Sequence, residues 1–334
     1  MIALAATTLA VAAAGAGTPV RLEVAASGDL LIHSPVWQRA RANAGGRGYD
    51  FRPMFASLRP RLKAADIALC HVETPLMRGA PSGYPRFRSP PGLARDIRAT
   101  GWDACSTASN HSLDQGMPGL RSTRAALRRA GVGRTGTYGS ARAKARPLIV
   151  SARGVKVAFL SYTEHTNGIP VPHPWAVNLA RRDRIVREAR RARRRGAQAV
   201  IVNLHWGDEY RHQPSAFQRR LARALLRSSA ITAIVGQHAH VVQPIRLRRG
   251  RAIVFGEGNL LSNQSAACCP AATQDGLVAF LTLDVAGKRA RVTRIRYLPT
   301  WVRRPDYRVV AARGASRRRT IAVAGRTKRI KPLR

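Results

Sequence analysis

The sequence predicts an α/β fold in which a mainly parallel sheet is covered by helices. Strand-like apolar runs alternate with amphipathic helix-like segments along most of the 334 residues, and this alternation is typical of parallel sheets. Five of the strand-like runs end in residues that bind metals or move protons. Because ligand sites of such sheets lie beyond the carboxyl ends of the strands, we expect these residues to meet in one crevice.

The first half of the chain supplies three of the predicted strands, over residues 21–27, 66–70 and 102–108. Amphipathic spacing predicts helices over residues 53–65, 93–100 and 120–130. The last two helices are followed by Gly101 and Gly131, a residue type that commonly ends a helix. The stretch 78–91 is rich in Pro, Gly and Ser, which favours a loop.

The second half continues the alternation without a linker that would divide the chain. Strands are predicted over residues 155–162, 197–204, 230–235 and 252–255, and helices over 181–195 and 214–228. Residues 276–285 and 292–298 have the pattern of a closing antiparallel pair. The remaining segment, residues 301–334, is predicted to be a basic tail, which is solvated and disordered by default.

The composition is strongly basic, with 58 Lys and Arg against 17 Asp and Glu and a formal net charge of +41. A field of this sign attracts polyanions, of which anionic cell-surface polymers and nucleic acid are both candidates. The alternative is a general arginine bias on solvated surfaces.

The N-terminus favours export from a bacterial cell. Residues 1–16 are small and apolar, too short to span a bilayer, and end in the small residues Ala14, Gly15 and Ala16. Residues 1–20 are therefore interpreted as a signal peptide, the alternative being an Ala-rich disordered N-terminus. An extracytoplasmic location favours a surface polymer over DNA as partner. It also permits a disulfide among the four Cys residues, whose pairing the sequence does not reveal.

The polar residues at the strand ends form a mixed nitrogen and oxygen set that suits divalent transition metals. The candidate ligands are Asp29, Glu73, Asn110, His205, His238 and His240. Such a set can hold two ions bridged by a carboxylate. For His238 and His240 alone, the alternative is a pair of turn histidines that hydrogen-bond to neighbours. His111 could protonate a leaving oxygen, and Asp114 could orient the His111 imidazole. The alternative is that His111 is a hydrogen-bonded structural histidine.

Seven motifs in this order resemble the CapA (PgsA-like) capsule and poly-γ-glutamate biosynthesis proteins of the calcineurin-like metallophosphatase superfamily. The resemblance covers residues 21–299, so we expect one domain over 21–300. The motifs are Gly28-Asp29-Leu30-Leu31, Glu73-Thr74-Pro75-Leu76, Phe87-Arg88-Ser89-Pro90-Pro91, Ser109-Asn110-His111-Ser112-Leu113-Asp114-Gln115-Gly116, His205-Trp206-Gly207-Asp208-Glu209-Tyr210, Gly236-Gln237-His238-Ala239-His240-Val241-Val242-Gln243-Pro244 and Gly256-Glu257-Gly258-Asn259-Leu260.

The resemblance implies a two-sheet β-sandwich flanked by helices, with α/β/β/α layers. It places the six candidate ligands around one or two divalent ions (Mn, Zn or Fe) and His111 as the general acid. Further candidates for substrate binding are His71, Arg88, Glu209, Glu257 and Asn259. Two departures stand out. Leu31 occupies the position of the His in the superfamily's Asp-x-His motif. His71 replaces an Asn that commonly lies two residues before the Glu, and the alternatives to substrate binding for His71 are an added metal ligand or a donor to a ligand.

The implied function is an exported protein that supports capsule or cell-wall polymer synthesis, with metal-dependent phosphoester hydrolysis as its possible chemistry. Its expected partners are an anionic surface polymer or the lipid-linked precursor of that polymer, and a membrane-bound synthase complex. One alternative is a non-catalytic accessory protein that binds the polymer. Another is a nucleic-acid binder, which the charge permits although no recognised nucleic-acid motif is present.

Overall fold

The computed structural model describes residues 18–333 and contains two sheets that pack face to face, with helices on both outer sides. Of the predicted signal segment, residues 1–20, residues 1–17 lie outside the described residues, and Val20 is the first residue of β1. The first sheet has nine strands in the order β14-β13-β12-β1-β2-β3-β4, with β11 beside β1 and β15 beside β13. The second has six strands in the order β5-β6-β7-β8-β10-β9.

The strands of the first sheet come from both ends of the described chain. They are β1 (Val20–Leu30), β2 (Ile67–Val72), β3 (Ala104–Ser106), β4 (Gly133–Thr135), β11 (Asn259–Leu261), β12 (Asp275–Ala286), β13 (Arg289–Arg303), β14 (Arg308–Ala311) and β15 (Ile330–Pro332). The second sheet is built from β5 (Leu148–Ala152), β6 (Val155–Thr163), β7 (Ala199–His205), β8 (Ala233–Gln237), β9 (Ile245–Arg248) and β10 (Arg251–Val254).

Most of the helices lie in the two outer layers, whereas the last one packs against the core between the sheets. The helices are α1 (Ser34–Asn43), α2 (Arg52–Phe55), α3 (Arg59–Ala64), α4 (Leu93–Thr100), α5 (Gly116–Arg129), α6 (Ala141–Lys144), α7 (Arg182–Arg194), α8 (Ala216–Leu226) and α9 (Gly314–Ala324). One core lies between the sheets, a second under α1–α4, and a third under α7 and α8. The α/β/β/α architecture is therefore confirmed.

Within the described residues, no helix is both long and apolar enough to cross a bilayer.

The expectation of a single mainly parallel sheet is wrong. The strands β1–β4 pair in parallel, as do β6, β7, β8 and β10, but these are two separate sheets. The hairpin of β12 and β13 pairs antiparallel with β1 and extends the first sheet on its other side. Alternation along the chain predicts most of the longer strands but not the sheet to which each strand belongs, and it misses short strands such as β4 and β11.

Two local expectations also need correction. The helix expected over 53–65 is two short helices, because Pro60 lacks the N–H that a continuous helix requires. The segment after residue 300 is not a disordered tail: β14 and β15 pair with β13, and Arg319 binds Asp275 at 2.6 Å. Its buried apolar residues, Val309 and Ile330 among them, are hidden in the sequence by the surrounding basic residues.

The cysteine pairing that the sequence left open is Cys70 with Cys105, which are register partners on the neighbouring strands β2 and β3. Cys268 and Cys269 are free.

Candidate metal centre

The carboxyl ends of strands from both sheets meet at one buried cluster. Asp29 lies at the end of β1, His71 is its register partner on β2, and Glu73 follows that strand. From the second sheet, His205 ends β7, while the turn after β8 supplies His238 and His240. The expectation that these distant segments come together agrees with the structure.

Backbone geometry at two places makes this convergence possible. A Cβ on Gly28 would lie 1.9 Å from the carbonyl oxygen of Gly258, so only glycine allows these two segments to approach. His238 and His240 have positive φ angles of 90° and 55°, which non-glycine residues adopt rarely. This strained turn directs the imidazole of His240 toward Asp29 on β1 and that of His238 toward His205 on β7, and such strain is typical of a functional site.

Asp29 is the centre of the cluster. It is fully buried, and its Oδ1 lies 3.8 Å from His71 Nε2 and 3.8 Å from His205 Nδ1. Its Oδ2 lies 3.3 Å from His240 Nδ1. The two oxygens of this carboxylate therefore face different imidazoles, which places Asp29 between the two sides of the cluster.

Glu73 and His240 form the second side of the cluster. His240 Nε2 lies 3.8 Å from Glu73 Oε1, and His240 Nδ1 lies 3.0 Å from Asn259 Oδ1. A proton on Nδ1 would let His240 donate to Asn259, which leaves Nε2 as its ligand atom. Asn259 therefore orients a candidate ligand.

His205 links the two sides. Its Nε2 lies 2.8 Å from Asn110 Oδ1, 3.1 Å from His238 Nδ1 and 3.7 Å from Glu73 Oε1. Three groups of side chains have ligand atoms within 4.8 Å of one another: Asp29 with His71 and His205, Asp29 with Glu73 and His240, and Glu209 with His238 and His240.

The residues present fit one or more divalent cations. Five buried atoms of the cluster have no hydrogen-bond partner: Asp29 Oδ1, His71 Nε2, Glu73 Oε1 and Oε2, and His205 Nδ1. A buried polar atom without a partner costs about 1–3 kcal/mol, so five in one buried cluster indicate missing partners. One or two cations coordinated by nitrogen and oxygen would supply such partners, and this donor set suits Zn, Mn or Fe.

The electrostatics of three of the histidines agree with metal binding, whereas the pKa values of Glu73 and His240 favour protons that a bound metal would displace. Burial lowers the pKa of His71 to about 4 and, together with the neighbouring imidazoles, lowers the pKa of His205 and His238 well below the ordinary value. These imidazoles are therefore neutral at pH 7, as a metal ligand must be. Burial and the charge of Asp29 raise the pKa of Glu73 well above its ordinary value. Burial alone would lower the pKa of His240, but Glu73 and Asp29 outweigh it and raise that pKa to about 10.

His111 and Asp114 lie beside the cluster, at the wall of a pocket of about 700 Å³ that His240, Glu209 and Tyr210 also line. His111 Nδ1 donates to Asp114 Oδ2 at 2.7 Å, and the backbone N–H of Phe87 donates to the same oxygen at 2.8 Å. Asp114 thus holds the imidazole in one orientation and leaves Nε2 as the nitrogen available to a ligand.

Several residues expected to bind substrate lie elsewhere. His71 is fully buried in the cluster, stacks on His205 and contacts Ser106 Oγ at 2.6 Å, so its place is that of a ligand. Because Asp29 and His71 are register partners, this imidazole reaches Asp29 from the neighbouring strand, whereas Leu31 lines the pocket. Arg88 is turned away, donating to Gln115 at 2.8 Å, and Arg86 lines the pocket instead.

Glu257 and Asn259 are likewise buried behind the cluster. Gln237 donates to Glu257 Oε2 at 2.6 Å, and burial raises the pKa of Glu257 well above its ordinary value. Of the expected substrate-binding residues, Glu209 is the one that lines the pocket and is exposed.

Sequence reasoning missed a buried amide network behind the ligands. Asn203 donates to Gln237, and Asn259 donates to Gln264 at 2.9 Å. The available signal was a single amide residue within or at the end of an apolar strand. Cys268 and Cys269, at the rim of the pocket, were not expected there either.

The family comparison is specific. Residues 23–264 match the model of the bacterial capsule synthesis protein family PGA_cap. A capsule biosynthesis protein, CapA, of Bacillus anthracis is 25% identical over 255 residues, which cover 73% of this chain and 60% of that protein. A probable polyglutamine synthesis accessory protein of Mycobacterium tuberculosis is 28% identical over 220 residues, 60% of this chain and 56% of that protein. The chain thus spans less than two thirds of the length of these relatives.

Among solved structures, the calcineurin-like phosphoesterase YfkN from Bacillus subtilis superposes with a TM-score of 0.55 at 15% identity. The match covers 91% of this chain and 96% of that one. The fold is therefore that of the calcineurin-like metallophosphatases.

Proposed function

Because this chain belongs to the bacterial capsule synthesis protein family PGA_cap, we propose that it supports the synthesis of a capsule or cell-wall polymer outside the cytoplasm. Its proposed chemistry is metal-dependent hydrolysis of a phosphoester in that polymer or in its lipid-linked precursor. The apolar N-terminal stretch supports export, and the net charge of +41 supports an anionic partner. A membrane-bound polymer synthase complex is the proposed site of action.

The observation that carries the catalytic proposal is the set of five partnerless buried atoms beside the His111–Asp114 pair. Asp29, Glu73, His71, His205 and His240, with Asn110 and His238, would hold one or two divalent ions. When bound, such ions supply Lewis acidity and a water molecule of lowered pKa.

The residues of the chain itself have separate tasks in this proposal. Asn259 holds His240 in its ligand orientation, and the amide network behind it keeps that orientation fixed. His111 gives its proton to the leaving oxygen, while Asp114 keeps the imidazole aligned and stabilises its charged form. Glu209 and Arg86, on the pocket wall, contact the rest of the substrate.

The proposal is tested with protein purified without a metal-binding tag and supplied with Mn²⁺ or Zn²⁺. Bis(p-nitrophenyl) phosphate should be cleaved, and His205→Ala should abolish the cleavage. His173→Ala is the matched control, because this exposed histidine lies outside the pocket lining and stacks on Trp175. Absence of turnover with every divalent metal would reject the catalytic proposal.

A second candidate is a non-catalytic accessory protein that binds the polymer, and the Mycobacterium tuberculosis relative is itself named an accessory protein. Under this candidate, the cluster serves as a structural or binding site. Metal-free protein would then bind polyglutamate with steep salt dependence and would show no hydrolysis with any metal.

A further inference from the structure

A second concave site lies at the opposite end of the second sheet from the metal centre. It is a cleft of about 560 Å³ formed by the end of α7, the turn between β9 and β10, and the turn between β12 and β13. Three segments that are far apart in the sequence thus meet there. Eight of its lining residues are cationic: Arg190, Arg193, Arg194, Arg249, Arg251, Lys288, Arg289 and Arg291. We name this site the basic cleft.

The basic cleft is separate from the metal centre. Arg251 begins β10, and α7 ends shortly before β7 begins, whereas His205 is the last residue of β7. With a rise of about 3.3 Å per residue, the seven residues of β7 place the two sites roughly 20 Å apart. A ligand in the cleft therefore does not touch the residues proposed for hydrolysis.

Two of the cations are held in fixed positions on the floor of the cleft. Arg193 Nε donates to the carbonyl of Ala230 at 3.0 Å, and its Nη2 donates to Thr232 Oγ1 at 3.1 Å. Arg251 Nη1 donates to the carbonyl of Ser228 at 2.6 Å. Burial lowers the pKa of Arg193, and the charge of Arg251 lowers it further. An anion bound there would relieve this crowding of like charges.

Within residues 18–333, none of the eight cations pairs with a carboxylate, unlike many arginines elsewhere. Arg21 pairs with Asp284 at 2.8 Å, for example, and Arg98 with Asp103 at 3.1 Å. Basic residues in the last turn of α7 are ordinary, because they complement the helix dipole. This explanation does not extend to the two turns and the strand residues beside them, which bring five further cations to the same concavity.

We propose that the basic cleft binds a flexible polycarboxylate chain of the polyglutamate type. A concave surface of one sign focuses its field on an anionic ligand, and arginine forks match carboxylates in a bidentate manner. The lining contains no aromatic residue on which nucleic-acid bases could stack. The choice of carboxylates over phosphates as the charged groups of the ligand rests on the proposed function. The presence of an anion site in the cleft is independent of that function.

Where the polycarboxylate chain is joined to a phosphoester, as in the lipid-linked precursor of the proposed function, the two sites would act on one molecule. A polymer that passes around the outside of the sheet needs more than the roughly 20 Å that separates the two sites along β7. Retention of the polymer in the basic cleft would raise the local concentration of its end at the metal centre. The cleft would supply affinity, and the metal centre would supply the chemistry.

The test compares two triple variants of the full-length protein in the binding of fluorescein-labelled poly-γ-glutamate at about 0.1 M NaCl. Arg190→Gln, Arg249→Gln and Arg289→Gln remove one charge from each segment of the cleft. The control removes three exposed charges from the opposite helical layer: Arg39→Gln, Arg47→Gln and Arg59→Gln. We expect the cleft variant to bind at least tenfold more weakly than wild type and the control to stay within threefold.

Each outcome decides the proposal. Equal affinities of the two triple variants would show that binding follows net charge and would reject the cleft as the site. Tighter binding of polyphosphate, or of single-stranded DNA of the same charge, than of polyglutamate would reject the polycarboxylate. Wild-type protein that binds polyglutamate through the cleft but cleaves no phosphodiester would leave this inference standing and remove the hydrolytic function. Metal content, measured for both triple variants, should equal that of wild type.

Discussion

The parallel strands of the two sheets have their carboxyl ends at one end of the molecule and their amino ends at the other, and the polar groups at these two ends lie in different surroundings. At the carboxyl ends, Asp29, Glu73 and the histidines are buried, and five of their atoms lack a partner. At the amino ends, most of the cations around the basic cleft are exposed and hydrated. Because electrostatic interactions strengthen away from water, the first end suits chemistry and the second suits reversible capture of a polymer.

This difference implies that the two functions can be separated by mutation. A change at the metal centre should abolish turnover without changing polymer affinity. A change at the cleft should weaken polymer binding without changing the turnover of a small phosphodiester.

The largest effect is expected for Asp29→Asn. This substitution removes the carboxylate that lies between the two sides of the cluster, which is worth several kcal/mol, so turnover should fall about a thousandfold and metal content should fall with it. Polyglutamate affinity should change less than twofold. Asp50→Asn, at a half-buried residue outside the pocket that pairs with Arg52, is the control for loss of one carboxylate. A parallel loss of polymer binding in Asp29→Asn would contradict the separation of the two ends.

A smaller loss is expected for His111→Asn. General acid catalysis contributes about 10²–10⁴-fold, so the turnover number should fall by that factor while metal content stays unchanged. Asp114→Asn should have a weaker effect in the same direction, because it removes the partner that orients His111 but not the acid itself. Loss of metal from either variant would assign this pair to the ligand set instead.

The comparison also predicts how the metal-free protein responds to pH. The pKa of His240 is raised to about 10 in the folded protein, so the stability it contributes is present below pH 6.5 and is lost as pH rises toward 10. The pKa of Glu73 is also raised in the folded protein, so the stability that Glu73 contributes is likewise lost as pH rises. The pKa values of His71 and His205 are lowered in the folded protein, so these two residues make the protein more stable as pH rises, but only below about pH 6.5.

Between pH 7 and pH 9 the metal-free protein should therefore become less stable, as seen in a lower urea midpoint. His240→Asn should show a smaller shift over the same range. The urea midpoint of wild type could instead rise with pH, or His240→Asn could show the same fall in midpoint as wild type. Either result would show that His240 is not protonated in the metal-free protein.

The smallest effect is expected for the single substitution Arg190→Gln. Loss of one exposed cation should weaken polyglutamate binding about two- to fivefold and reduce the salt dependence by about one charge. Turnover of a small phosphodiester should be unaffected. An unchanged salt dependence would place Arg190 outside the contact.

The two ends also differ in how far the sequence predicted them. The candidate ligands were predictable because each follows an apolar strand, and the carboxyl ends of parallel strands converge. His71 was assigned to substrate because its register with Asp29 is visible only in the sheet. Arg88 was chosen over Arg86 because the direction of a side chain in an irregular loop cannot be read from its motif.

The basic cleft, unlike the metal centre, could not be predicted from the sequence. Composition indicated an anionic partner, but Arg190, Arg249 and Arg289 meet only because α7, β9–β10 and β12–β13 end at the same edge. The ordered segment after residue 300 was missed for a related reason, since its few apolar residues gain their meaning from the strand β13 beside them.

The central claim is that the buried cluster holds a divalent cation, and elemental analysis of untagged protein tests it most directly. We expect about one or two equivalents of Mn, Zn or Fe per chain in wild type and in His173→Ala, and a large loss in Asp29→Asn. Wild-type protein that retains none of these metals after incubation with each of them and gel filtration would contradict the account.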